Sequence, residues 1–293
     1  MSVIPFPRRS TAPDVRSGIV PGLDPEVMVG MPHLGFGGLS ETWLLKECGH
    51  RHWLALAQAA GQRVPDFRDA KGAPVYAAFC GVSLANARLD RVAENDTLIF
   101  ASTLARISAT QFVSRHSVRA PDGVVAELEL VSVFVKRQVE GRNRSVARVR
   151  PEGLPPLDPG EVSRTSALAA ALRGGEWDTH MGFARTQAHK RASLMLNPCP
   201  SQDFNGAHFL YFAAFQAFAD RAEWDLLAPP AGTLTLARDL VYHGNIEPGE
   251  RLAAGLLGVR ETPGELAHWL RLAREDGTPL ADIFTCRALP PIS

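Results

Sequence analysis

The stretch Asn197-Pro-Cys-Pro-Ser-Gln-Asp-Phe-Asn-Gly-Ala-His-Phe-Leu-Tyr-Phe-Ala-Ala-Phe-Gln-Ala-Phe-Ala-Asp-Arg-Ala-Glu-Trp224 is a polar, glycine-containing loop that runs straight into an apolar helix. Phe209, Phe212, Phe215 or Gln216 and Ala219 recur at helical spacing, and Leu210 and Ala213 widen the stripe. A stripe this wide predicts a helix wrapped by other structure, and a sheet is the natural wrapper. Asp203, Asn205 and Gly206 fall just before the predicted first turn. There, unpaired backbone N–H groups and the positive end of the helix dipole attract a carbonyl oxygen or an anion.

The layout occurs twice. Gly35-Phe-Gly-Gly-Leu39 and the helix through Trp53 match Gly206 to Leu210 and Trp224, with Gly35/Gly206, Leu39/Leu210 and Trp53/Trp224 each 171 residues apart. Downstream the spacing becomes 154, from Asp96-Thr-Leu98 to Glu250-Arg-Leu252 and from Asp122-Gly123 to Asp276-Gly277. Preserved order with two constant spacings points to an internal duplication, and the drop of 17 places an insertion after the first helix.

A chain of 293 residues, 45% hydrophobic and 21% charged, can bury one large core or two ordinary ones. Lys plus Arg equals Asp plus Glu at 31 each, so no global field draws the protein to nucleic acid or an anionic membrane. The local basic run Arg142, Arg144, Arg148 and Arg150 reads as a solvated strand end or linker. Cys48, Cys80, Cys199 and Cys286 form no C-x-x-C pair, which suits a reducing cytoplasm and opposes a zinc cage. No long apolar run follows Arg8-Arg9, and no 18-residue apolar stretch occurs elsewhere, so the expectation is a soluble cytoplasmic protein.

Taken in order, residues 1–20 read as a loosely held arm, 21–150 as one repeat, 151–165 as a Pro- and Gly-rich linker, and 166–293 as the second repeat. The first repeat opens with a strand over Asp24 to Met31 and a helix from Ser40, its cap, to Gly61. After the loop-like insertion Gln62 to Pro74 come strands at 75–84, 97–107, 112–119 and 124–138, the last two joined by Ala120-Pro-Asp-Gly123. The second repeat has a short helix at 166–173, a strand at 192–196, the long helix, and strands at 233–243, 251–260, 266–275 and 280–287. One buried helix hugged by an antiparallel meander, twice over, is the α+β double hot-dog: two hot-dogs in one chain forming a built-in pseudo-dimer, which can pair again as a homodimer.

Among residues that carry chemistry, Asp203 beside a helix N-terminus serves as base, nucleophile or orienter, or else as an ordinary cap. Asn205 offers an amide to a thioester carbonyl, and Gly206 lets backbone approach closely. His33 lies in the matching loop of the first repeat, two residues before Gly35, as an acid, base or anion partner, or as a structural histidine. Gly35, Gly38, Ser40, Gly206 and His208 complete the two helix-entrance loops as substrate-binding candidates. Tyr76, with an unperturbed pKa of about 10, attacks a thioester only with a base or an anion-stabilising pocket, and is otherwise a strand tyrosine. Tyr211 and Tyr242 read as core, and His116, His243 and His268 as core or surface. His50 and His52 point apart on a helix and do not pair on a metal. There is no G-x-S-x-G elbow, Walker loop or Rossmann fingerprint.

The words Gly30-Met-Pro-His-Leu-Gly-Phe-Gly-Gly-Leu-Ser-Glu-Thr-Trp-Leu-Leu-Lys-Glu-Cys-Gly-His-Arg-His-Trp53, Asp203-Phe-Asn-Gly and Leu210-Tyr-Phe-Ala-Ala resemble the LnmK-like acyltransferase/decarboxylase family, double hot-dog proteins of natural-product biosynthesis. The likeness spans nearly the whole chain, and the second-repeat loop is also similar to that of ordinary hot-dog thioesterases. The resemblance implies an enzyme of polyketide biosynthesis that decarboxylates methylmalonyl-CoA and passes propionyl to an acyl carrier protein, with no metal or organic cofactor. In that family a tyrosine on the strand after the first helix has been proposed as acyl acceptor. Tyr76, following Asp69-Ala-Lys-Gly72, holds the similar position here.

Three alternatives stay open on the residues themselves. A thioesterase would use Asp203 to direct water onto an acyl-CoA or acyl-carrier substrate. A dehydratase would use His33 with Asp203 across the seam. A non-catalytic module would hold an acyl chain or dock a carrier protein without turnover.

Overall fold

The computed structural model describes residues 24–150 and 162–291. The expected arm over 1–20 and most of the linker over 151–165 lie outside these residues. The first repeat contains β1 (Glu26–Met28), β2 (Leu34–Gly35), β3 (Gly38–Leu39), α1 (Glu41–Ala59), β4 (Tyr76–Ala85), β5 (Thr97–Arg106), β6 (Gln111–Ala120), β7 (Gly123–Arg137) and β8 (Val146–Arg148). The second contains α2 (Arg164–Gly174), β9 (Thr179–His180), β10 (Phe183–Ala184), β11 (Ala192–Leu196), α3 (Pro200–Asp203), α4 (Phe212–Leu227), β12 (Leu234–Tyr242), β13 (Leu252–Thr262), β14 (Glu265–Arg274) and β15 (Pro279–Ala288).

The long strands fall where β-branched and aromatic runs predict them, within two residues at each end. Two small differences have local causes. The first strand shrinks from the expected 24–31 to Glu26–Met28, because Pro32 helps close a 3-10 turn over Met31–His33. The short β2–β3 hairpin, invisible to periodicity, lies just ahead of α1.

The strands join in the order β1-β5-β6-β7-β4-β12-β15-β14-β13-β11, with β8 added on β7. Counting inward from either end gives corresponding strands of the two repeats, so the sheet has pseudo-two-fold symmetry about the β4–β12 seam. That seam is antiparallel, Leu84 opposite Arg238 through Gly81 opposite Val241. Pairing the repeats edge to edge satisfies two strand edges that would otherwise be exposed.

Both long helices bury their apolar faces in one shared cluster. Leu44, Leu45 and Cys48 of α1 meet Ala213, Phe215, Phe218, Ala219 and Ala222 of α4 over Val82, Leu84 and Leu240 of the seam. The second helix, α2, packs on a separate cluster through Ala169 and Leu172, against Val241, Trp269 and Phe284. The seam is therefore the centre of the molecule, and any defect in it leads to the interior.

Candidate functional site

The seam is open at one end. β4 and β12 pair only over Gly81–Leu84 and Arg238–Val241; beyond that, Tyr76–Cys80 and Tyr242–Asn245 line a cavity of about 620 Å³. Gly49, His50, His52 and Trp53 of α1 line it too, as do Phe209 to Tyr211 ahead of α4 and Phe212, its first residue. The volume falls in the range of small-molecule sites, about 300–1,000 Å³. Arg173 of α2 staples the parted strands, its guanidinium donating to Cys80 O at 2.8 Å and to Tyr242 O at 2.6 Å.

The organising loop folds on itself before α4 begins. Phe204 bridges to Leu210, and Asn205 Oδ1 accepts the N–H groups of Ala207 (3.0 Å) and Phe209 (3.1 Å). Asn205 Nδ2 thereby keeps no protein partner among the described residues, on a side chain that lines the cavity. Asn245 clamps Leu210, accepting its N–H at 2.9 Å and donating to its carbonyl at 3.0 Å.

One expectation is corrected here. Phe209 and Leu210 are not helical and α4 starts at Phe212, so Asp203, Asn205 and Gly206 do not sit immediately before the first turn. The reason is local: His208 adopts the left-handed φ of 61°, and the Asn205 side chain supplies a turn in place of helical hydrogen bonds.

The two helix N-termini have opposite fates. In α1, Ser40 is the cap and its Oγ accepts the Trp43 N–H at 3.3 Å. The next residue, Glu41, enters a buried network: Arg238 Nε lies 2.7 Å from Glu41 Oε1, and Arg238 Nη2 donates to Asp220 Oδ1 at 2.6 Å. Arg287 links Asp220 to Glu223, and Glu223 accepts from His268 Nε2 at 2.6 Å. Burial pushes the Glu41 carboxyl up despite Arg238 beside it. In α4, the cap position belongs to Tyr211, which makes no side-chain cap hydrogen bond, and Tyr211 and Phe212 face the large cavity. Phe212 and Gly49 stand 171 residues from Glu41 and Asp220. Where the first pair leaves a cavity, the second pair fills the equivalent place with charge, leaving a pocket of about 230 Å³.

The candidate residues divide accordingly. Tyr76, Asn205 and Gly206 line the large cavity; Gly35 and Ser40 line the small pocket. His33, Gly38, Asp203 and His208 line neither. His33 Nδ1 accepts the Gly30 N–H at 2.8 Å and its ring meets Trp43 edge-on at 4.7 Å. Gly38, with φ 107°, has no room for a Cβ, which would stand 2.2 Å from Leu89 O. Buried Asp203 accepts the Cys199 N–H at 2.7 Å, and its carbonyl accepts the Tyr211 N–H at 2.7 Å. His208 is exposed, its carbonyl accepting from Asn143 Nδ2 at 2.7 Å. The Tyr76 ring lies edge-on to Phe209, centroids 5.6 Å apart.

Local spacing gave no sign of several other cavity residues. Tyr242 is buried, donates its hydroxyl to Phe212 O at 3.2 Å, and has its pKa pushed up by that burial. His243 lines the cavity and its Nε2 lies 2.9 Å from Asp282 Oδ2. The two are 39 residues apart, and the β12–β15 register, with Val241 opposite Asp282, brings them together. An aspartate within the apolar run Leu280-Ala-Asp-Ile-Phe284 was the one available signal. His52 shares hydrogen bonds with Ser114 and Ser132 at 2.7 Å each, and burial lowers its pKa to about 3.

The fold is the double hot-dog. It is similar to the structure of the 12:0-ACP thioesterase from Umbellularia californica, with TM-score 0.60 and 13% identity over 89% of this chain and 92% of that one. A putative oleoyl thioesterase from Lactobacillus plantarum gives 0.62 and 12% over 92% and 96%. An acyl-ACP thioesterase from Bacteroides thetaiotaomicron gives 0.53 and 10% over 89% and 96%. At these identities the likeness establishes the architecture, not the reaction. No protein-family model matches the sequence, and neither does any curated protein. Among the described residues, no helix is long and apolar enough to cross a bilayer.

Proposed function

We propose that this protein is an acyl-thioester enzyme that hydrolyses an acyl-CoA or acyl-carrier-protein substrate in the cavity at the open end of the seam. The observation that carries this reading is the difference between the helix N-termini: α1 is capped and its surroundings are filled by ion pairs, whereas α4 lacks a side-chain cap and borders the cavity. A thioester carbonyl placed there meets first-turn N–H groups and the Asn205 Nδ2, donors suited to the negative charge that develops on oxygen as the carbonyl is attacked. Phe79, Val133, Val135, Phe212 and Phe215 offer the acyl chain an apolar wall. The structurally similar thioesterases are likewise named for acyl-carrier-protein thioesters.

A second reading, decarboxylation of methylmalonyl-CoA with transfer of propionyl to a carrier protein, is favoured by one feature. Tyr76 lines the same cavity, beside the loop that carries Asn205. Decarboxylation leaves an enolate, which the same donors would stabilise. Mass spectrometry of the protein with saturated acyl-CoAs, acyl-carrier proteins and methylmalonyl-CoA separates the two. Free acid and free thiol support hydrolysis; loss of carbon dioxide with propionyl on the carrier supports the second. Unchanged substrates overturn both. Tyr76→Phe retains hydrolysis but abolishes transfer if the tyrosine is an acyl acceptor.

A further inference from the structure

Hydrolysis needs a group that takes a proton from water beside the thioester, and the cavity restricts the choice. Both nitrogens of His52 are held by serines, and buried Asp203 points its carboxylate at the Cys199 N–H, outside the cavity lining. His50 lines the cavity but is exposed, and among the described residues no carboxylate orients its ring. His243 differs on each count. Its ring is half-buried at the end of β12, its Nε2 is 2.9 Å from Asp282 Oδ2, and its Nδ1 has no protein partner among the described residues.

Asp282 is built to hold that ring. It is 1% exposed. Its Oδ1 accepts from Trp269 Nε1 at 2.8 Å and Arg271 Nε at 2.9 Å, and its Oδ2 from Arg271 Nη2 at 3.0 Å as well as from His243. Burial opposes its ionisation, but the hydrogen bonds from His243 and Arg271 outweigh it and keep the carboxyl below its usual range. An anionic partner fixes the proton on Nε2 and leaves Nδ1 as a lone-pair acceptor. The backbone is fixed too: the His243 N–H donates to Leu280 O at 2.8 Å. Two residues on, Asn245 grips Leu210, so the histidine and the loop bearing Asn205 belong to one braced wall.

We propose that His243 is the general base of this cavity, with Asp282 as its positioning residue. The inference rests on the hydrolytic reading given above. Nδ1 of His243 removes a proton from water as the water oxygen bonds to the thioester carbon, and the carbonyl electron pair moves to an oxygen held by Asn205 and the α4 N-terminus. When that intermediate collapses, the C–S bond breaks and the departing sulfur takes the proton back from Nδ1. The products are one carboxylic acid and one thiol, and the histidine is neutral again.

The test measures steady-state thiol release with acyl-CoA substrates of graded chain length, for the wild type and for His243→Ala, His243→Gln and Asp282→Asn. Loss of a general base is expected to lower kcat by about 10²–10⁴-fold. KM should stay within about threefold, and added imidazole should restore part of the turnover of His243→Ala, whose missing ring leaves space for it. Asp282→Asn should lower kcat without that rescue. His243→Gln keeps the bulk and polarity, so it carries the test should His243→Ala fold poorly. An active wild type beside a His243→Gln variant with at least a third of its kcat overturns the assignment of His243 alone. A wild type inert toward every thioester overturns the hydrolytic reading and this inference together.

Discussion

Gly49, in the middle of α1, and Phe212, in the first turn of α4, touch so closely that a Cβ on the glycine would stand 2.6 Å from Phe212 Cζ. The ring cannot retreat freely, because Phe79 lies 4.3 Å from it and Tyr211 5.0 Å, centroid to centroid. Gly49→Ala should gain about 1 kcal/mol of helix propensity and lose about 1–3 kcal/mol to overpacking, for a net fall in stability. Pairing it with Phe212→Leu should recover most of the loss. A double-mutant cycle by urea unfolding measures the coupling, and additive effects would show that the contact is not what limits the site.

The pseudo-symmetric position tells the opposite story. Arg238 is fully buried between Glu41 and Asp220, where the other half of the molecule keeps a cavity. Removing one partner of a buried charge cluster typically costs about 3–5 kcal/mol, so Arg238→Met should be severely destabilising. Glu41→Gln should cost less than Arg238→Met, since burial works against the Glu41 charge and glutamine keeps an oxygen of the same shape facing Arg238. Equal losses in the two variants, read by chemical denaturation, would remove the distinction.

Much of this architecture was legible in the sequence because it depends on periodicity and repetition. Ser40 and Glu41 announced the start of α1, and the spacing of 171 residues that pairs Gly35 with Gly206 also pairs the first residue of α1, Glu41, with that of α4, Phe212. The site was less legible. Asn205 and Tyr76 carried polar groups at informative places, but nothing in the chain says that β4 and β12 separate beyond Gly81 and Val241. His243 and Asp282 become partners only through strand register, and the choice between cap and catalytic group at Asp203 was not legible because its donor, the Cys199 N–H, is a backbone group that leaves no mark on the residue types.

Acid should weaken the fold in two stages. Burial holds His52 and His116 neutral, with pKa values lowered to about 3. An unfolded histidine binds its proton near pH 6.5, so their contribution is complete above that value and is lost as pH falls from about 6.5 toward 3. Glu223 adds a lower window: burial opposes its charge, but His268 and Arg287 prevail and hold it at about 2. Its contribution is present above about 4.5 and is lost between there and 2. Each group removes about 1.4 kcal/mol per pH unit within its window. Urea midpoints taken at intervals from pH 7.5 to 4 should fall steadily below about pH 6, and His116→Gln should make that slope shallower.

Arg173 should govern how far the seam opens. Its guanidinium is the bridge from α2 to the Cys80 and Tyr242 carbonyls on opposite sides of the split. Arg173→Met preserves the apolar stem and removes the bridge, leaving two carbonyls without that donor. The expected cost is about 1–3 kcal/mol, together with faster amide exchange at the parted ends of β4 and β12. Unchanged exchange in those two segments would mean that the strands are held apart by something other than this staple.

Asn205 allows its two roles to be separated. The side-chain oxygen fixes the loop through Ala207 and Phe209, while the nitrogen remains available to a ligand. Asn205→Asp keeps the acceptor and removes the donor. The melting temperature should therefore change little, by the equivalent of about 0.5 kcal/mol, while kcat for thioester hydrolysis falls by about 10²–10³-fold, the usual loss for one oxyanion donor. Asn205→Ala removes both roles and should lower stability as well, by about 1–2 kcal/mol. If the nitrogen meets charge only as the carbonyl is attacked, both variants bind substrate with nearly the wild-type KM, and the deficit lies in kcat. An Asn205→Asp protein with undiminished kcat would leave the backbone N–H groups of α4 as the sole donors to the oxyanion.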